Sequence, residues 1–144
     1  MITFYTNPMS RGRIVRWMLE EVGQPYRTEV LDYGTTMKAP AYLAVNPMGK
    51  VPALRHRGVT VTECAAICAY LAEAFPAAGL APKPADPLRG AYLRWLFFAA
   101  GPLEQAVTAR ALGWQVPEGR DGMAGFGSFD ATVNALEQML TGRD

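Results

Sequence analysis

The stretch Asn46-Pro47-Met48-Gly49-Lys50-Val51-Pro52-Ala53-Leu54 restricts this chain more than any other, because it sets two prolines and a glycine against the start of a strand. Asn46-Pro47 opens a turn, Gly49 is able to take a positive φ, and Pro52 removes an amide donor where strand pairing should begin. A proline in that place belongs at a sheet edge or a bulge. A cis Val51–Pro52 bond would reverse the chain tightly and leave the Val51 amide and carbonyl available to an extended, peptide-like ligand. Taken alone, the nine residues fit an ordinary loop before a strand equally well.

Hydrophobic periodicity organises the rest. Ile2 to Thr6 alternates as a strand and stops at Asn7-Pro8, just before Ser10. Ile14, Val15, Met18, Leu19 and Val22 recur at helical spacing, with Gly23 and Pro25 as the stop. Arg27 to Leu31 returns as a strand, so the opening reads as a right-handed βαβ unit. A short helix is expected over 38–44. Ala53 to His56 and Val59 to Thr62 form a hairpin across Arg57-Gly58, and Thr62-Glu63-Cys64 leads into a helix with Ile67, Tyr70, Leu71 and Ala74 on one face, ending at Phe75-Pro76. Residues 76–87 contain four prolines, four alanines and one glycine and read as a linker. Beyond it, Leu88 to Ala100 and Leu103 to Leu112 are helical, with Gly101-Pro102 expected to kink or break the helix between them. After a glycine-rich loop, Ser128 is an N-cap, Val133, Leu136 and Leu140 form a stripe, and Gly142 stands at the C-cap.

Composition narrows the function classes. With 14 Lys+Arg against 13 Asp+Glu the net charge is +1, so no global field draws the chain to nucleic acid or an anionic membrane. No apolar run approaches the roughly 20 residues of a membrane span, and Met1-Ile2-Thr3-Phe4 opens a strand where a signal peptide would carry charge; a cytoplasmic protein is expected. Cys64-x-x-x-Cys68 matches neither a redox pair nor a zinc pattern, and Cys68 reads as a buried thiol. His56 has no second ligand beside it and is expected at the surface; no metal is expected.

Asn46 to Leu54, followed by Thr62-Glu63-Cys64-Ala65-Ala66-Ile67-Cys68-Ala69-Tyr70-Leu71, closely resembles the glutathione-site signature of glutathione S-transferases. The resemblance is to bacterial-type members with a serine or cysteine near residue 10, on Tyr5-Thr6-Asn7-Pro8-Met9-Ser10-Arg11. It implies an α/β thioredoxin-like domain over 1–75, the linker at 76–87, and an incomplete all-α domain over 88–144.

Ser10 lies between the first strand and helix, where backbone amides and the helix dipole attract an anion. By itself it reads more readily as a helix cap. The resemblance makes it the catalytic hydroxyl, donating to the glutathione sulfur and lowering a thiol pKa that is otherwise about 8.5. Thr6 and Tyr5 are weaker substitutes. Glutathione would be the co-substrate: Glu63 would accept from its ammonium, the Cys64 amide would hold the neighbouring carboxylate, Val51 beside Pro52 would pair with the cysteinyl unit, and Lys50, with Lys38 as helper, would face the glycine carboxylate.

Cys64 departs from the pattern, since the usual serine is the better donor; a lost hydrogen bond to a carboxylate costs on the order of 1.5–3 kcal/mol, less if the backbone amide remains. Met9, Tyr33, Phe97, Phe98 and Trp114 are expected to line a pocket between domains for a small apolar electrophile. The implied activity is glutathione conjugation. The alternatives are a binding or regulatory protein on the same scaffold, and a peroxidase or thiol reductase using Cys64. Because the family's helical domain runs for further helices, the apolar faces of residues 88–112 and 133–140 are expected to lack cover, which points to a homodimer or higher oligomer.

Overall fold

The computed structural model describes residues 1–142. Strand β1 (Ile2–Thr6) buries Ile2, Phe4 and Thr6 on one face, the period-2 pattern of a strand. Helix α1 (Gly12–Val22) returns over that face, and β2 (Tyr26–Val30) pairs parallel with β1, Phe4 against Thr28. This is the expected βαβ unit, with its second strand displaced by one residue. The short helix expected over 38–44 is split into a 3-10 turn, Thr36–Lys38, and α2 (Pro40–Leu43). Pro40 sits in the first turn of α2, where its missing N–H has no intrahelical partner to lose.

β3 (Ala53–His56) pairs antiparallel with β1, and β4 (Val59–Thr62) antiparallel with β3, on the residues expected for the hairpin. The sheet order is β2-β1-β3-β4. Helix α3 (Cys64–Ala74) joins α1 on one face, where Val15, Met18, Leu19 and Val22 meet Ile67, Leu71 and Ala72 over Ile2, Phe4 and Leu54. Full burial of each large apolar side chain contributes about 1.5–3 kcal/mol, which makes this cluster the main source of the domain's stability. Ile14 stands at the margin of the α1 stripe and remains 45% exposed. On the opposite face Met37, Tyr42 and Ala53 are buried together, with Tyr5, Leu31, Val45 and Val51 against them. A four-stranded mixed sheet with α1 and α3 on one side and α2 on the other is the thioredoxin-like α/β arrangement that the resemblance implies.

His56 is not at the surface. It is 6% exposed, its Nδ1 lies 3.0 Å from the Tyr70 hydroxyl, and its ring stacks on Phe75 with centroids 5.4 Å apart. Strand alternation is the reason: Leu54 and His56 are buried while Arg55 between them is exposed. The adjacent turn had suggested exposure, but register decides it.

The chain divides into two compact units, Met1–Arg89 and Gly90–Asp144. Within the first, Leu80 and Ala81 of the proline-rich stretch pack against the core, and Arg89 donates to the Pro82 carbonyl at 3.0 Å and pairs with Glu73. The helical part comprises α4 (Arg89–Phe98), α5 (Glu104–Leu112) and α6 (Phe129–Leu140). The Gly101-Pro102 step does not end the helix: Ala99–Leu103 form a π-helical turn that carries Pro102 inside it and leads straight into α5. The wider turn accommodates the ring and the missing N–H that an α-helical turn would not. Ser128 caps α6 as expected, its Oγ accepting from the Ala131 N–H at 3.1 Å.

Candidate active site

The N-termini of α1 and α3 meet. The Cys64 thiol donates to the Arg11 carbonyl at 3.5 Å, and Arg11 is the N-cap residue of α1 while Glu63 is that of α3. Neither N-cap side chain closes its own helix. Two positive helix ends side by side create a place where negative charge is stabilised.

Ser10 stands at one side of this place. Its Oγ accepts from the Gly12 N–H at 3.0 Å and donates to the Asn7 carbonyl at 2.6 Å. The first bond fixes the oxygen against the start of α1. The second uses the hydroxyl hydrogen, so donation to a bound sulfur requires that hydrogen to turn away from Asn7. Asn7 is itself buried, with Nδ2 on the Leu31 carbonyl at 2.8 Å and Oδ1 accepting from the Met9 N–H at 2.9 Å. Thr6 is buried and its Oγ1 makes only a long contact, 3.5 Å, to the Asn7 carbonyl.

Glu63 takes φ 66°, ψ 124°, a left-handed backbone that a residue with a side chain adopts at a cost. Its side chain is exposed beside the start of α3. Cys64 is half-buried, and its thiol hydrogen is engaged with Arg11. Cys68, one turn on, is half-buried against the core, and burial pushes its thiol up to about 11, in keeping with an inert buried group. Both cysteines are free thiols.

The loop before β3 supplies the other side, and Val51–Pro52 is cis as expected. The Lys50 carbonyl accepts from the Tyr42 hydroxyl at 2.5 Å and from Asn46 Nδ2 at 2.8 Å, while Asn46 Oδ1 accepts from the Met48 N–H at 3.1 Å. Burial pushes the Tyr42 phenol up to about 12, so it remains a donor. Lys38 Nζ donates to the carbonyls of Gly49 at 2.8 Å and Met48 at 3.3 Å. Gly49 has φ 55°, and a Cβ there would come within 2.9 Å of Lys38 Nζ and 3.0 Å of the Met37 carbonyl. The loop is therefore held from three directions, and Val51 lies half-buried just ahead of the β-ladder, whose pairs begin at Ala53. Lys50 is exposed.

No motif in the sequence marks Tyr42 or Asn46 as a site residue. Asn46 carried only the signal of a turn former, and nothing in spacing shows that its amide reaches Lys50. Lys38, expected as a ligand helper, braces the loop's carbonyls. Among the residues expected for the electrophile, Met9 and Tyr33 belong to the first unit and are 85% and 57% exposed. Phe97, Phe98 and Trp114 belong to the second. Phe98 packs edge-on against Trp95, Phe97 is exposed, and Trp114 borders an apolar cavity of about 500 Å³ with Val116, Pro117, Met123 and Phe126. Phe97 and Phe98 do not line that cavity. No cluster of His, Cys, Asp or Glu able to hold a metal occurs among the described residues, and no helix among them is long and apolar enough to cross a membrane.

Residues 9–74 match the family model described as the glutathione S-transferase N-terminal domain. Protein LigF of Sphingobium sp. is 50% identical over 50 residues, which are 35% of this chain and 20% of that protein. Glutathione S-transferase 3 of Schizosaccharomyces pombe is 36% identical over 86 residues, 60% of this chain and 34% of that protein. The matched stretches thus take in about a third or less of those relatives' length. Among solved structures, a sphingomonad glutathione S-transferase complexed with glutathione superposes with a TM-score of 0.76 at 30% identity, covering 98% of this chain and 71% of that one.

Proposed function

This chain belongs to the glutathione S-transferase family, and from that premise we propose that it binds glutathione and transfers the tripeptide's thiolate to a small apolar electrophile. The observation that carries the reading is the meeting of the α1 and α3 N-termini at Cys64 and Arg11, with Ser10 and Glu63 on either side. Glutathione carries two carboxylates, an ammonium and a thiol, and the residues present fit those groups. Glu63 is an exposed acceptor for the ammonium, the start of α3 suits the adjacent carboxylate, the braced loop presents Val51 to the cysteinyl unit, and Lys50 faces the second carboxylate.

In this reading Ser10 does the chemistry. Its oxygen is already held by the Gly12 N–H, so turning the hydroxyl hydrogen from Asn7 to the sulfur costs one hydrogen bond and gains a charge-assisted one. That exchange, together with the α1 dipole, favours the ionised thiol. The thiolate then forms a carbon–sulfur bond to the electrophile as the leaving group departs or the electron pair moves onto the acceptor. Cys64 gives its hydrogen to Arg11 and serves the site by joining the helices; the loss of a serine hydroxyl at that position weakens the hold on the carboxylate. Met9 and Tyr33, both exposed in the first unit, are the proposed apolar contacts of the second substrate. A cytoplasmic homodimer or higher oligomer is the form we propose for the working protein.

Retention on immobilised glutathione followed by a conjugation assay with a chlorinated nitrobenzene tests the proposal. Retention with conjugation is expected. Retention without conjugation against a panel of electrophiles would favour a binding protein, and no retention would overturn the reading.

A further inference from the structure

The hairpin end of the sheet has features that glutathione transfer does not use. Strand register sets Thr3 between Arg27 and Arg55, and Arg55 against Thr60, so Arg27, Thr3, Arg55 and Thr60 form one row across four strands. Alternation puts this row on the face opposite Phe4 and Leu54. The turn and helix between β2 and β3 cover that face over Tyr5 and Ala53, whereas Arg27, Arg55 and Thr60 are exposed.

The charges in the row are unequal. Arg27 is paired with Glu29 at 2.5 Å, while among the described residues no carboxylate pairs with Arg55 or Arg57. Arg55 Nε donates to Thr60 Oγ1 at 3.3 Å, which leaves the Thr60 hydroxyl hydrogen to donate outward. Arg57 occupies the turn with φ 51°, a left-handed backbone that glycine or asparagine would take at lower cost. Thr3, Arg55, His56, Arg57 and Thr60 border a depression of about 270 Å³ with no carboxylate in its lining.

We infer that this depression is a second binding site, one that takes a phosphate dianion or the phosphate of a phosphomonoester. Two unpaired guanidinium groups offer fork-shaped donor sets that match phosphate oxygens, and the Thr60 hydroxyl adds a further donor. A dianion uses both cations, where a single carboxylate would use one. The left-handed Arg57 is then a local cost that places the second guanidinium at the rim.

Calorimetric titration of inorganic phosphate into the full chain, at fixed ionic strength set with chloride, tests this. A saturable one-site isotherm is expected, with Arg55→Gln and Arg57→Gln each weakening it about tenfold or more. Arg16→Gln, which removes the same charge from α1, should leave affinity within about twofold. Arg57→Gly separates binding from stability: it relieves the left-handed backbone, so its melting temperature should rise while phosphate affinity falls. Co-sedimentation with phosphatidic acid vesicles distinguishes a lipid headgroup from a soluble phosphomonoester as the source. A linear, non-saturating titration, or equal losses in the Arg55, Arg57 and Arg16 variants, would overturn the inference.

Discussion

Gly12 has no Cβ because there is no room for one: an added carbon would stand 2.1 Å from Thr6 Oγ1 and 2.9 Å from Ser10 Oγ. The first of these atoms is buried and the second is fixed by the Gly12 amide, so neither yields cheaply. Gly12→Ala should therefore destabilise the fold by about 1–3 kcal/mol through overpacking and displace the Ser10 oxygen as well. Thermal melting and a conjugation assay read the two effects separately, and an unchanged melting temperature would show that the strand end relaxes more easily than its contacts suggest. Glu63 is the other residue whose backbone is set by its place, with φ 66° at the start of α3. Glu63→Gln keeps the side chain's length and removes its charge; glutathione affinity measured calorimetrically should fall by about ten- to a hundredfold, as expected for losing a charged acceptor.

At the scale of elements, α3 is fastened to the sheet by His56. Desolvation first, and the neighbouring Arg57 second, hold the His56 pKa below its ordinary value of 6.5, so the folded state favours the neutral ring. A group depressed in this way and neutral when deprotonated contributes its full stability above about pH 6.5, and stability falls as pH drops below that value and the unfolded chain takes up the proton. Melting temperatures recorded downward from pH 7 should show this decline, and His56→Phe should flatten it; identical profiles for both proteins would remove His56 from the account. The sequence made this element pair only half legible. Periodicity located β1, the hairpin and α3 because each has a simple repeat, and the two-part signature drew attention to Lys50 and Glu63 as Tyr5 to Arg11 did to Ser10. It did not show that His56 faces inward, since a residue beside a turn is exposed or buried according to register alone. Nor did it show that Asn46 and Tyr42 hold the Lys50 carbonyl, or that Lys38 braces the loop, because such bonds join residues through the fold and leave no spacing to read. Gly101-Pro102 does not break the helix, because the chain passes the proline in a π-helical turn, which no sequence pattern distinguishes from a break.

At the scale of the whole molecule, the helical unit keeps much apolar surface in water. Phe97, Leu112 and Leu140 are 69%, 57% and 53% exposed, while Ala106 and Thr132 are the buried residues of α5 and α6. Burying such side chains contributes about 1.5–3 kcal/mol each, which favours self-association over leaving them wet. Light scattering on a size-exclusion column should give the mass of a dimer or larger species at micromolar concentration, and a stable monomer would show that these faces need no partner. Whether the α1 and α3 N-termini with Ser10 hold glutathione as a thiolate is read from the ultraviolet absorbance of the bound thiolate as a function of pH. With wild-type protein the midpoint should lie well below the free-thiol value of about 8.5, and with Ser10→Ala it should move back toward that value while binding persists. A midpoint for the wild-type complex equal to that of free glutathione would contradict the account.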